Sequence, residues 1–155
     1  MSFKIQAYDQ HWVKNLRAGG MDDNGQAAEH AVSDGGGNPC RSCLDYIAKD
    51  AEMLIAGARP FGQLNPYAEC GPVFFCAEDC TPWSGDALPP VLQNSPDYLV
   101  KAYSADDRII YGTGQITLVA ELADYITTLL NRDGVAFVDI RSSRNNCFAA
   151  RAVRT

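Results

Sequence analysis

The sequence predicts one α+β domain, with a single mixed or largely antiparallel sheet and two or three helices packed mainly on one face. Three observations support this prediction. A length of 155 residues, of which 46% are hydrophobic, suits a single domain with its own core. About seven short segments are continuously apolar or alternate apolar and polar residues, as strands do. The helical segments do not alternate with these strands, which argues against a doubly wound parallel sheet.

The first half of the chain combines short elements with a long polar loop. Residues 3–8 largely alternate like a half-buried strand, and Asp9 is a suitable N-cap for a short helix that follows. Residues 19–38 are polar and glycine-rich, which predicts a flexible loop. Segments 52–56 and 72–76 read as strands joined by a turn-prone stretch, so we expect them to form a hairpin.

The second half of the chain holds the clearest helix and the remaining strands. Residues 81–97 contain four prolines, which predicts an extended crossover at the surface. Residues 116–130 carry apolar side chains at 119, 122, 123, 126, 129 and 130, a stripe at helical spacing. The predicted strands of this half are, in order, 98–103, 108–111, 135–140 and 147–153.

Charge and hydropathy indicate the cellular compartment and argue against two classes of partner. The formal net charge of −6 repels phosphate backbones, which makes nucleic acid an unlikely partner. The N-terminus lacks the apolar core of a signal peptide, and no apolar run approaches the roughly 18 residues of a membrane span. We therefore expect a cytoplasmic protein without a membrane partner. In that reducing compartment the six cysteines are expected as thiols or metal ligands rather than disulfides.

Two closely spaced cysteine pairs are the clearest chemical signal. Cys40 and Cys43 form a C-x2-C pair, and Cys76 and Cys80 form a C-x3-C pair. Two thiolates on a tight turn can grip one ion, and two such turns complete a tetrahedron. Soft thiolate ligands favour zinc, and four protein ligands predict a structural site rather than a catalytic one. Arg41 lies inside the first pair and could offset part of the negative charge.

Other roles for these cysteines stay open at the level of sequence. Buried cysteine often serves as a small apolar side chain, and a disulfide is a further alternative. A thioredoxin-like role for Cys40 and Cys43 would require a helix N-terminus after a strand, whereas a glycine loop and a proline precede this pair. The two histidines, His11 and His30, fall in a predicted surface helix and a polar loop, which gives nucleophilic catalysis little support.

Several motifs together resemble a known family. They are Asn38-Pro-Cys-Arg-Ser-Cys-Leu44, Arg59-Pro-Phe61, Gly71-Pro-Val-Phe74, Cys76-Ala-Glu-Asp-Cys80, Tyr111-Gly-Thr-Gly114 and Asn145-Asn-Cys-Phe-Ala-Ala-Arg151. In combination they resemble the bacterial domain-of-unknown-function family numbered 1203. The resemblance covers roughly residues 3–154, which implies one domain over 1–155. It implies no activity, so whether the protein is an enzyme stays open.

The resemblance also implies a second hypothesis, a small-molecule binding protein or enzyme with a pocket for an anionic ligand. Cys40, Arg41, Tyr67 and Cys147 match the more widely shared part of the family pattern, and Arg41 and Tyr67 could donate to an anionic ligand. In the alternative, Arg41 and Tyr67 tie down turns and Cys147 fills the core. A thiol redox or sensor protein that uses Cys40 and Cys43 is the third hypothesis. The candidate ligand-binding residues are Arg41, Tyr67, Arg144 and Asn146.

Overall fold

The chain folds into two antiparallel sheets and two α-helices, and the computed structural model describes residues 2–155. In chain order the elements are β1 (Phe3–Gln6), α1 (Gln10–Arg17), β2 (Glu29–Val32), β3 (Glu52–Ala58), β4 (Gly71–Cys76), β5 (Asp97–Tyr103), β6 (Gln115–Leu118), α2 (Leu122–Leu130), β7 (Phe137–Ser142) and β8 (Phe148–Arg154). Single 3-10 turns lie at Pro90–Leu92 and Val119–Glu121.

The prediction of a single sheet is wrong, because the strands divide into two separate sheets. The larger sheet has five strands in the order β1-β8-β7-β5-β6, and the smaller has three in the order β2-β3-β4. The predicted hairpin of β3 and β4 does form, with Met53 opposite Cys76. On its other edge β3 pairs with β2, which lies inside the segment 19–38 that was predicted as a loop. Only Ala31 of β2 is even partly buried, so this strand lacks the apolar alternation that would identify it.

The predicted helix 116–130 is shorter than expected at its N-terminus. The α-helix begins at Leu122, because the preceding residues Gln115–Leu118 form β6 and pair with β5. In β6 the side chain of Thr117 is buried, whereas those of Ile116 and Leu118 are more than half exposed. This alternation of buried and exposed side chains is typical of a strand, and the predicted apolar stripe begins only at position 119, after β6 has ended.

The predicted strand 108–111 is also reduced in the structure. It contributes one isolated bridge, between Tyr103 and Ile109. The strand that pairs with the first half of β5 is β6 instead, with Asp97 opposite Leu118. The two closing strands are confirmed with their bounds shifted by one or two residues, as β7 and β8.

Each sheet has its own apolar cluster and its own helix. In α2 the side chains of Leu122, Ile126, Leu129 and Leu130 are buried in the cluster of the five-stranded sheet. In α1 the N-cap Asp9 accepts a hydrogen bond from the backbone N–H of Trp12 at 2.9 Å, as predicted. Val13 and Leu16 of α1 are buried in the other cluster, with β3 and β4. The two helices therefore stabilise different parts of the domain.

The two helices are short. α1 has 8 residues and α2 has 9. Within residues 2–155 no helix combines the length and the apolar character needed to cross a bilayer.

Candidate metal centre

The two cysteine pairs converge on one point in the smaller half of the domain. The four Sγ atoms of Cys40, Cys43, Cys76 and Cys80 all lie within 4.8 Å of one another. The Sγ atoms of Cys40 and Cys80 are 3.8 Å apart. In a tetrahedron of sulfurs about 2.3 Å from a zinc ion, the sulfurs are about 3.8 Å from one another. The cluster could therefore hold a metal ion with a contraction of at most about 1 Å.

A tight loop after Pro39 holds the first pair. The N–H of Cys40 donates to the carbonyl of Asp45 at 2.9 Å, and the N–H of Leu44 donates to the carbonyl of Cys40 at 2.9 Å. Leu44 closes the turn in the left-handed region, with φ of 55°. The N–H of Arg41 donates to the carbonyl of Phe74 in β4 at 2.9 Å. This last bond joins the loop to the strand that delivers the second pair.

The end of β4 and the turn after it position the second pair. Cys76 is the last residue of β4, and its N–H donates to the Sγ of Cys40 at 3.3 Å. Such a bond stabilises a thiolate, because it favours the charged form of the sulfur. Beyond Cys80 the chain returns to the first loop, where the N–H of Trp83 donates to the carbonyl of Ser42 at 3.0 Å. Backbone hydrogen bonds therefore connect the two cysteine loops on both sides of the cluster.

Arg17, at the end of α1, supplies positive charge to the cluster. Its Nη2 lies 3.2 Å from the Sγ of Cys80, and its Nε donates to the carbonyl of Cys76 at 3.0 Å. Four thiolates around a divalent ion leave a net charge of −2, which a guanidinium in contact partly offsets. No spacing in the sequence relates Arg17 to the cysteine pairs. The one signal is its place in the last turn of a short helix. Arg41 was expected in this role because it lies inside the first cysteine pair. Within residues 2–155 its side chain makes no hydrogen bond to the cluster.

The thiols of the cluster influence each other's ionisation. Hydrogen bonds from Cys43 and Cys76 lower the pKa of Cys40. The hydrogen bond with Cys40 in turn raises the pKa of Cys43 and the pKa of Cys76. A cluster of this kind ionises first at the buried Cys40 and resists further loss of protons, because like charges repel. A cation that neutralises this repulsion allows all four sulfurs to bind as thiolates.

The surroundings of Cys40 and Cys43 differ from those of a redox pair. All six cysteines are free thiols, and Cys40 is fully buried. In the described part of the chain no helix begins at this pair, which lies in a turn. A helix N-terminus is the feature that activates a thioredoxin-like cysteine. Both histidines are exposed, and His30 contacts Glu52 on the smaller sheet rather than a cysteine.

Arg41 borders a cavity next to the first cysteine loop. The cavity has a volume of about 320 Å³, and Arg41 is only 8% exposed. Burial lowers the pKa of Arg41 to about 10, which still leaves the guanidinium charged at neutral pH. Other residues that line the cavity are Pro39, Tyr46, Phe74, Tyr98, Ser142 and Cys147.

The other predicted ligand-binding residues lie elsewhere. Tyr67 packs against Tyr111, with ring centroids 6.3 Å apart, and beneath the guanidinium of Arg108. The carbonyl of Asn146 accepts a hydrogen bond from Arg141 at 2.9 Å, and Arg144 is exposed on the loop between β7 and β8. The structure thus brings Arg41 and Cys147 to one cavity, whereas the other three predicted residues are not part of its lining.

Fold and cluster together define a small α+β domain with a four-cysteine site that could hold a metal ion. The chain belongs to the family described as "Protein of unknown function (DUF1203)", whose match spans residues 37–154. No curated protein and no solved structure matches the chain. The family match includes all four cysteines of the cluster and excludes α1, which carries Arg17. Because the family has no assigned activity, function has to be inferred from the geometry of the site.

Proposed function

We propose that Cys40, Cys43, Cys76 and Cys80 bind one zinc ion and that this domain uses the ion as a structural element. The observation that carries the proposal is the convergence of four sulfurs from two distant pairs to within 4.8 Å of one another. Soft thiolate ligands select zinc among the common divalent metals. Four protein ligands fill a tetrahedral coordination sphere and leave no open position for a substrate, which makes the site structural rather than catalytic.

The role of the ion is to join the loop that holds Cys40 and Cys43 to the end of β4. The apolar cluster around β3 and β4 is the smaller of the two, and the buried Cys40 belongs to it. Small apolar cores need additional cross-links, and a structural metal is one of them. The ion also brings α1 into the arrangement, because Arg17 contacts both Cys80 and the carbonyl of Cys76.

Elemental analysis of the protein tests this proposal. The protein is purified without chelator and without a metal-affinity column, and we expect about one equivalent of zinc per chain. Cys80→Ser removes one ligand and should lower the zinc content. Cys70→Ser is the matched control, since Cys70 lies outside the cluster and its Sγ contacts Asn24 at 3.5 Å. Wild-type protein that lacks metal and fails to take up added zinc would refute the proposal.

Cobalt substitution and thiol analysis give independent readings of the same site. Cobalt bound by four thiolates in a tetrahedron has intense visible absorption, which should appear in wild type and Cys70→Ser and be weakened in Cys80→Ser. A disulfide between Cys40 and Cys43 in protein isolated under reducing conditions would instead support the thiol redox hypothesis.

A further inference from the structure

Arg41 carries a buried positive charge and makes no salt bridge with a carboxylate within residues 2–155. Its side chain is 8% exposed, and its Nε is buried with no hydrogen-bond partner in residues 2–155. The titratable groups that interact most strongly with its charge are the thiols of Cys147 and Cys40 and the phenols of Tyr46 and Tyr98. None of these is a carboxylate. Buried charges in native proteins are nearly always paired, since an unpaired charge loses its hydration without compensation.

The cavity beside Arg41 has the size and the lining of a site for an anion. Its volume of about 320 Å³ is at the small end of the range for ligand pockets, and no acidic side chain of the described residues lines it. Ser142, which also lines the cavity, offers a second donor. Its Oγ accepts hydrogen bonds from the N–H groups of Asn145 and Cys147, both at 3.2 Å, which leaves its own proton for another acceptor.

Most of the remaining walls of the cavity are apolar or aromatic, and Ser95 and Asn145 are the polar exceptions. The apolar and aromatic walls include Pro39, Val73, Phe74 and Val91, together with the rings of Tyr46 and Tyr98. The hydroxyl of Tyr98 already donates to the carbonyl of Val91 at 2.9 Å, so its proton is not available to a ligand. A ligand that fits these walls has one charged end and an apolar body.

We propose that this cavity binds a small monocarboxylate with an apolar or aromatic body. The carboxylate pairs with the guanidinium of Arg41, whose planar donors match its two oxygens, and the body lies against Phe74 and Val91. A monocarboxylate fits better than phosphate, because a single cation balances a single negative charge and phosphate carries between one and two at neutral pH. This inference goes beyond the metal centre and does not require that zinc is bound.

The metal centre fits less well as the partner of Arg41, and the larger cleft fits less well as a site for an anion. The metal centre is negative and adjacent in sequence, but Arg17 is the arginine in contact with its sulfur. A larger cleft of about 980 Å³ contains Arg59 and Arg151, but Arg151 is already neutralised by Asp139 at 2.6 Å. The cleft is also lined by the acidic residues Asp9, Asp23 and Asp86. Arg41 is therefore the arginine whose cavity lining offers no carboxylate.

Titration of the purified protein with benzoate, followed by NMR, tests the proposal. Benzamide has the same shape without the charge, and inorganic phosphate has the charge without the apolar body. We expect saturable shifts at residues that line the cavity with benzoate, and binding at least about tenfold weaker with benzamide and with phosphate. Equal binding of benzamide, tighter binding of phosphate, or no saturable shift with benzoate at millimolar concentration would each overturn the proposal.

Two arginine variants identify the residue responsible. Arg41→Met should weaken benzoate binding by at least about tenfold. Arg144→Met removes the same charge from the exposed loop near the cavity and should leave binding unchanged. Zinc content is measured on both variants. If Arg41→Met loses zinc and keeps its benzoate affinity, then Arg41 is a counter-ion of the metal centre and the proposal is wrong.

A measurement on wild type alone covers the case in which Arg41→Met does not fold. Cys147 lines the cavity and is partly exposed, whereas Cys70 lies outside it. Benzoate should slow the alkylation of Cys147 by iodoacetamide, as read by mass spectrometry, and leave the alkylation of Cys70 unchanged. Equal rates at Cys147 with and without benzoate would overturn the proposal, and this result is independent of whether the cysteine cluster binds zinc.

Discussion

The guanidinium of Arg17 lies 3.2 Å from the Sγ of Cys80, although the two residues are 63 positions apart in the chain. Arg17 ends α1, and Cys80 lies in the turn after β4, so this contact fixes the helix against the cysteine cluster. Asp79 lies 3.7 Å from the same guanidinium but is almost fully exposed, which leaves the sulfur as the better-protected partner. The charge of Arg17 should therefore act mainly on the metal site.

Replacing Arg17 with Met should weaken zinc binding by roughly 10- to 100-fold, the range usual for residues that support metal ligands. The variant loses both the hydrogen bond to Cys80 and the charge that offsets the thiolates. Lys14→Met is the control, because it removes one positive charge from an exposed position of the same helix. Affinities are compared by competition with a chromophoric chelator. Equal affinities in the two variants would show that only net charge matters.

Removal of zinc should loosen one part of the domain and leave the other intact. The cysteine cluster belongs with the smaller apolar cluster, whereas β7 is in the larger one, with α2. After chelation we expect hydrogen-exchange protection to fall around Cys40–Cys43 and Cys76–Cys80 and to persist in Phe137–Ser142. Uniform loss of protection would mean that the metal site holds the whole fold together.

Truncation of Leu122 tests the buried face of α2. Leu122 is 0% exposed in the larger cluster, so Leu122→Ala should lower the free energy of unfolding by about 2–5 kcal/mol. Leu118→Ala is the control, since Leu118 is 54% exposed and should cost less than about 0.5 kcal/mol. Both values come from denaturant unfolding at neutral pH. A loss at position 122 as small as at position 118 would mean that the packing of α2 is misassigned.

The buried hydroxyl of Tyr103 should make the protein less stable at alkaline pH. Burial raises the pKa of Tyr103 to about 12 from its usual value of 10.0, and the hydroxyl has no hydrogen-bond partner in residues 2–155. Between these two values the unfolded chain releases the proton before the folded one does, so stability falls as the pH rises through this window. The loss attributable to Tyr103 should reach about 2 kcal/mol by pH 12.

Tyr103→Phe checks this expectation, because it keeps the ring stacked on Phe137 at 5.1 Å and removes only the hydroxyl. Urea unfolding at several alkaline pH values should show a shallower decline in the variant than in wild type. At neutral pH the variant should be as stable as wild type or more stable, since no hydrogen bond is lost. Parallel declines would mean that Tyr103 does not titrate as expected.

Local sequence patterns predicted the cysteine cluster and much of the larger sheet. The convergence of Cys40, Cys43, Cys76 and Cys80 follows from two short spacings and from a hairpin whose strands have clear apolar character. Asp9 predicted the start of α1 for a similarly local reason, since an N-cap bonds to a residue three positions later.

Sequence patterns could not show features that depend on distant packing. The strand β2 has almost no buried side chain, so the hydrogen bonds that pair it with β3 leave no apolar signature. Arg17 and Cys80 meet because two loops and a helix converge, and neither residue carries a spacing that points to the other. The start of α2 at Leu122 was missed because the apolar residues Ile116 and Leu118, which are exposed on the edge strand β6, directly precede the helical stripe.

The order of strands in the larger sheet constrains when each half can fold during synthesis. β1 pairs with β8 alone, so the first strand of the chain waits for residues 148–154 to be made. In contrast, α1, the three-stranded sheet and all four cysteines of the cluster lie within the first 80 residues. Because translation proceeds from the N-terminus, the half that carries the cysteine cluster has its sheet, its helix and its four sulfurs available while the other sheet is still being made on the ribosome. If the cluster binds zinc as proposed, zinc supplied early in translation would meet all four sulfurs before the larger core exists.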